Sequence, residues 1–173
     1  MRFSVFKLDN SKLKFTDSIK YLGCIITNDC KDDKDINRLT RSIYARGNVL
    51  ANRFYMCTHE VKVKLFKAYC SSLYGLSTCI NVSNDSLKKL CLAYKRIFRK
   101  LFNFDFINTT QNMLKLRIDP FQVIQRKLFN GFYNRLNSSN NSIVCLIVET
   151  MLYRDSVFLK CFIDKVHKGK HIF

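Results

Sequence analysis

Carboxylates, thiols and imidazoles are the residues of this chain that could do chemistry, and the setting of each narrows what it can do. The run Asp32-Asp33-Lys34-Asp35 is the one candidate for a two-metal carboxylate site. Such sites need oxygens held rigidly and converging, usually at strand ends. This run falls in a polar turn before a helix-period segment, where carboxylates complement the macrodipole and cap free N–H groups. Helix capping is its expected role. The cysteines, at positions 24, 30, 57, 70, 79, 91, 145 and 161, contain no C-x-x-C pair. Cys57 and His59 lie close together, but no second pair follows at finger spacing, so no metal site is expected. Cys70, Cys91, Cys145 and Cys161 sit in apolar runs, where a thiol behaves as a small hydrophobe. Buried free cysteines in a reducing compartment, nucleus or cytoplasm, are the expectation. His59, His167 and His171 are scattered, and neither a nucleophile elbow nor a Gly-rich phosphate loop is present. No catalytic residue is assigned.

Charge is what remains. Thirty Lys+Arg stand against 13 Asp+Glu, a formal net charge of +17. An imbalance of that size points to a polyanionic partner, and inside a cell nucleic acid is the default. The alternative is a solvated surface with incidental charge. No window reaches the ~18 apolar residues of a membrane span, no terminus carries a basic amphipathic helix, and the segment Met1 to Lys7 is too interrupted for a signal peptide. No membrane partner is expected, and the N-x-S/T triplets at Asn81, Asn84, Asn108, Asn137 and Asn140 read as accidental in an Asn- and Ser-rich chain.

The elements that must position these charges are mainly helical: short N-terminal antiparallel β-strands, then a bundle of about five helices. Phe3 to Leu8 and Leu13 to Phe15 flank the turn Asp9-Asn10-Ser11, a hairpin pattern. Lys20 to Thr27 reads as one strand, with Gly23 marking a bulge or a close approach of backbone or ligand. From Asp32 the period becomes helical. Ile36, Leu39, Ile43, Leu50 and Phe54 share one face, with Arg38 and Arg41 opposite and Arg53 on the flank. A second helix is expected over Glu60 to Tyr74, burying Val61, Leu65, Phe66, Tyr69 and Leu73 and stopping at Gly75. The third, capped within Ser83 to Ser86, carries the stripe Leu87, Leu90, Cys91, Tyr94, Ile97, Phe98 and Leu101. Opposite it run two cationic rows, Lys88, Lys95, Arg99 and Lys89, Arg96, Lys100. With no carboxylate to pair on that face, phosphates are its expected partners. Asp119-Pro120 opens a fourth helix, with Phe121, Ile124, Leu128, Phe132 and Leu136 inward and Arg126 and Lys127 outward. A polar loop over 137–142, an apolar helix over 143–152 and a basic tail complete the chain.

Several motifs stand in a telling order: Ile19-Lys20-Tyr21-Leu22-Gly23-Cys24-Ile25-Ile26, Asp32-Asp33-Lys34-Asp35-Ile36, Ser42-Ile43-Tyr44-Ala45-Arg46, the helix from Glu60 to Cys70, Leu73-Tyr74-Gly75, and Leu87 through Phe102. Together they resemble the C-terminal part of LINE-type (non-LTR) retrotransposon reverse transcriptases, the jockey-like kind. The resemblance implies a primer-grip-like β segment over 1–30, a thumb-like helical region over 31–104 and a C-terminal helical region over 105–173. Tyr21, Leu22 and Gly23 would lie by the primer terminus. Arg38, Arg41, Arg53, Lys88, Lys89, Lys95, Arg96, Arg99 and Lys100 would hold an RNA or DNA template–primer through its phosphates. The family's catalytic Asp pair precedes the Tyr-Leu-Gly strand, whereas Asp32-Asp33 follows it. A fragment without its own catalytic site is therefore implied. Palm and fingers are its missing partners, and Mg²⁺ is a cofactor of the complete enzyme only. Where relatives often carry Trp, this chain has Ser77-Thr78-Cys79. The competing expectation is a helical protein–protein interaction or structural domain.

Overall fold

Strand-forming sequence gives way to helix at Asp33, and the architecture follows that division. The structure, a computed structural model, describes residues 7–8, 11–12 and 15–153. Strands β1 (Lys7–Leu8) and β2 (Ser11–Lys12) pair antiparallel, Leu8 opposite Ser11. Most of the hairpin expected from Phe3 to Phe15, and the basic tail, lie outside the described residues. A second, separate hairpin pairs β3 (Ser18–Tyr21) with β4 (Cys24–Thr27).

That second hairpin corrects the reading of Lys20 to Thr27 as a single strand. Tyr21 pairs with Cys24, leaving Leu22 and Gly23 as a two-residue turn with φ of 46° and 83°. Two positive φ values belong to the type I′ turn, whose twist matches the flanking strands. Conformation, not crowding, calls for the glycine: a Cβ there would meet only Tyr74, at 3.9 Å.

Helices α1 (Asp33–Arg53) and α3 (Asn84–Phe102) pack along each other as the spine. Ile36, Leu39, Ile43 and Leu50 of α1 are buried as the periodicity requires, against Leu90, Tyr94, Ile97, Phe98 and Leu101 of α3. At Gly47 the helices leave no room for a side chain: a Cβ there would stand 2.8 Å from Cγ1 and Cδ1 of Ile97 and closer still to Cγ2. Helix α2 (His59–Tyr69) packs against the spine through Phe66, whose ring centroid lies 5.1 Å from Tyr94 and 5.8 Å from Phe98. Tyr94 donates its hydroxyl proton to the carbonyl of Asp119 and meets Ser71 Oγ at 3.1 Å, so its buried oxygen is satisfied.

The second helix is shorter than its expected span. Cys70 and Ser71 both return their N–H groups to the carbonyl of Phe66, and the helix ends. Val61 and Tyr69 stand exposed, while Leu73 and Leu76 reach the core through a turn. Gly75, with φ of 86°, opens the 3-10 turn Leu76–Thr78; it does not cap α2. Helix α4 (Thr109–Lys115) has no counterpart in the sequence reading; it burrows in through Met113. Helix α5 (Phe121–Asn137) begins after Pro120, with Phe121, Ile124 and Phe129 buried. Of its outward cations, Lys127 reaches back 2.6 Å to Asp119. Helix α6 (Ser142–Tyr153) packs mainly on α5.

The acidic run does not cap α1 with its side chains. It joins three elements. Asp32 accepts from the Asn81 N–H at 2.9 Å, and Asp33 accepts from the Ser83 N–H at 3.1 Å and from its hydroxyl at 2.6 Å. Asp35, 2% exposed, accepts from the Ile25 N–H of β4 at 2.8 Å and takes Arg38 bidentately, Nε at 2.6 Å and Nη2 at 2.9 Å. A lone carboxylate buried this deeply would be costly; two kinds of donor, one of them charged, offset that. Only Asp33 and Asp35 keep the expected place in the first turn, where they still complement the dipole.

Candidate nucleic-acid interface

Helix α3 is amphipathic because its apolar residues recur every three or four positions, and Ser83 fixes where it starts by accepting the Ser86 N–H at 3.3 Å. Once one stripe is buried against α1, both cationic rows must face outward. The row Lys89, Arg96, Lys100 runs beside α1. Arg96 donates to the Tyr44 hydroxyl at 3.4 Å, and Lys100 donates to Asn48 Oδ1 at 2.8 Å. Both partners are neutral, so the two positive charges stay uncompensated. Arg41, exposed and one turn before Tyr44 on α1, extends the same surface.

The row Lys88, Lys95, Arg99 lies on the other flank of α3. Lys88 stands 3.9 Å from Asp85, one turn earlier, so the expectation of a face with no carboxylate is corrected by that residue. The pair is exposed on both sides, and such pairs contribute little. Arg99 lies over the ring of Phe106, 4.5 Å from its centroid.

Two of the sequence-derived cations are held in other ways. Arg38 is half-buried and committed to Asp35, with a further donation to the Tyr74 carbonyl at 3.4 Å. That hydrogen bonding holds its proton more tightly than usual. Its task is to fasten the hairpin corner, which leaves it little freedom to reach a phosphate. Arg53 lies on the far flank of α1 in an apolar groove of about 410 Å³ shared with Arg46, Val49, Phe54, Leu65 and Tyr69, apart from the α3 rows.

The hairpin tip projects its side chains into water: Tyr21 is 61% and Leu22 72% exposed. Next to it, Ile25, Lys34, Asn37, Arg38 and Arg41 line a depression of about 370 Å³, so the hairpin and the cationic side of α1 share one wall. Sequence reasoning missed Lys34, Asn37, Tyr44 and Asn48 in this surface. Their spacing from Arg41, three or four residues for Tyr44 and Asn37 and seven for Lys34 and Asn48, was the available signal, obscured because all but Lys34 are uncharged.

The other reactive groups have been given structural work. His59 stacks on Phe102 and Phe104, with centroids 5.9 and 6.4 Å apart. Burial pushes the Cys70 thiol up to about 11 and raises that of Cys79 further, so both remain protonated at neutral pH and are poor nucleophiles. Cys91 is raised by burial too. Cys30 and Cys145 are exposed, which corrects the expectation of buried cysteines: Cys30 sits in the loop before α1, and the apolar run holding Cys145 is a helix that leaves much of its surface in water. Among the described residues no group of three or more His, Cys, Asp or Glu is placed to hold a metal ion, and no helix is long and apolar enough to cross a membrane. Comparison with protein-family models, with curated proteins and with solved structures finds no match to this chain.

Proposed function

We propose that this chain is the primer-grip and thumb portion of a LINE-type reverse transcriptase, contacting an RNA or DNA template–primer through its phosphates. The catalytic carboxylates and their Mg²⁺ belong to a palm outside this sequence. One observation carries the reading. Lys89, Lys95, Arg96, Arg99 and Lys100 of α3 and Arg41 of α1 line the outside of the spine, and none of them forms an ion pair among the described residues. Like charges gathered so densely repel one another unless a polyanion compensates them. The projecting Tyr21-Leu22-Gly23 tip adds support, because a tight hairpin presents backbone and side chains beyond the body of the domain. Arg38 and Arg53 drop out of the phosphate-contacting set.

Binding of a labelled RNA–DNA heteroduplex, followed by anisotropy across salt concentrations, tests this. With about six to eight phosphate contacts, log K falls against log salt with a slope of about −5 to −7. Replacing Lys88, Lys95 and Arg99 by Glu abolishes the binding. A slope near zero refutes the reading. Protein–protein association is favoured by a separate observation, the exposed Ile143, Leu146 and Ile147 of α6. Concentration-dependent self-association, with no competition from heteroduplex, would make that the better description.

A further inference from the structure

We propose that Phe106, backed by Arg99, is a stacking platform for an unpaired base of a single-stranded nucleic acid. The proposal rests on the phosphate-contact reading above and sharpens it, from a backbone-binding surface to one with a defined place for a base. Its ground is the contrast between Phe106 and the aromatic residues around it. Phe66, Phe98 and Phe102 are buried in the core, and Phe104 packs 5.8 Å from Phe98 and 6.2 Å from Phe102. Two residues further on, Phe106 is 78% exposed, followed by Ile107 at 74%. An exposed ring beside a cationic row is how single strands are held independently of sequence: cations follow the backbone while bases stack on aromatic faces.

The ring is also prepared for such a ligand. The Arg99 guanidinium lies over one face, 4.5 Å from the centroid, and with 78% of the residue exposed the opposite face is open to a ligand. A base on that free face would complete a three-layer stack, with the cation attracted to the ring's π electrons from behind. The loop is held at both ends. Asn103 closes α3 in the left-handed conformation, and the N–H of Phe104 returns to the Arg99 carbonyl at 3.1 Å. Asn108 is left-handed as well, and the buried Thr109 donates its hydroxyl to the Phe106 carbonyl at 3.0 Å. Little ordering is then left for the ligand to impose. Lys88 and Lys95 precede Arg99 along one row of α3, so a strand tracking those cations arrives at the ring.

The chain contains no tryptophan, which supplies the test. Phe106→Trp introduces a sole indole at the site, and Phe106→Ala removes the platform at an exposed position. The probes are a short oligothymidylate, a blunt DNA duplex of the same length, and polyphosphate as a polyanion without bases. The expected result is that Phe106→Ala weakens oligothymidylate binding about tenfold while duplex binding stays within about twofold of wild type. Phe106→Trp retains the affinity, and oligothymidylate quenches its emission while duplex and polyphosphate do not. Wild-type affinity for oligothymidylate in Phe106→Ala overturns the proposal and leaves the phosphate reading standing. So does equal quenching by polyphosphate. If the unsubstituted protein binds neither nucleic acid, the phosphate reading fails and the platform fails with it.

Discussion

The corner where α1, α3 and the β3–β4 hairpin meet is built on directional bonds; the end formed by α5 and α6 leaves a row of apolar side chains in water. At the corner, Asp32, Asp33 and Asp35 reach donors in segments ten to fifty residues away, and none of these carboxylates is idle. At the other end, α6 leans on its sequence neighbour and leaves Ile143, Leu146 and Ile147 in water. Hydrophobic contact is non-directional and tolerates sliding, whereas a bidentate pair fixes both position and angle. The elements that carry the cations of the proposed interface are thus the ones whose mutual placement is specified most tightly. Helix α6, with Glu149 its one charged residue, contributes nothing to that surface.

Removing the central carboxylate tests this comparison most severely. In Asp35→Ala the Ile25 N–H loses its acceptor and the Arg38 guanidinium its charged partner, keeping only the Tyr74 carbonyl. Breaking a buried pair from one side costs about 3 to 5 kcal/mol, and the low end applies because Arg38 keeps 25% of its surface in water. Chemical denaturation should therefore show a loss of about 3 kcal/mol, with hydrogen exchange at Ile25 rising disproportionately. A loss below about 1 kcal/mol would mean that apolar packing alone holds the corner.

Gly47 comes next. Alanine there gains about 1 kcal/mol of helix propensity but drives a methyl into Ile97, which is buried and, being β-branched, has little rotamer freedom to yield. Overpacking of that kind costs about 1 to 3 kcal/mol, and so close a contact lies at the upper end. The net expected effect of Gly47→Ala is destabilisation by about 2 kcal/mol. A stabilised variant would show that α1 and α3 are free to separate, and the contrast with α6 would collapse.

How much of this could be read from sequence follows from the same division. The stripe of α3 and the inward face of α1 were legible because 3.6-residue periodicity is local and both helices are long enough to display it. The Arg38–Asp35 pair was not legible because a basic residue on an outward face gives no sign that a carboxylate three residues earlier will be buried by a distant hairpin. The turn at Leu22-Gly23 was hidden by the apolar residues next to it, and a leucine at positive φ gave no warning. Helix α4 is too short to show a period. Asp32 and Asp33 carried a correct local signal, acid at a helix start, while their actual partners lie some fifty residues away and only the tertiary fold reveals them.

Acid should loosen the corner by a smaller amount. Hydrogen bonds from Ser83, and then Ser86, hold Asp33 below its usual carboxylate value of 3.8. With its folded-state pKa depressed, the folded chain binds fewer protons than the unfolded chain in this range. The stabilisation is therefore present above a pH of about 4 and is lost as pH falls through the lowered value. Because the site is solvent-accessible, the contribution is about 1 kcal/mol or less. Wild type and Asp33→Asn should differ in denaturation midpoint near neutrality and converge in acid. A gap that persists at low pH would mean that shape, and not charge, makes this contact.

The smallest effect is expected at the opposite end. Leu146 is 61% exposed on α6, so lysine there forfeits little buried surface. It is a good helix former, and it would stand three residues before Glu149, where opposite charges attract by a few tenths of a kcal/mol. Stability should change by less than about 0.5 kcal/mol, whereas the same leucine-to-lysine change at Leu39 in α1 would bury an unpaired charge and unfold the chain. If Leu146→Lys instead costs more than about 1 kcal/mol at low protein concentration, α6 is packed more tightly than its exposure indicates. If the loss appears only at high concentration, a second chain covers that face. The tight corner would then be contrasted with an interface, and the protein–protein reading would gain what the loose end had lost.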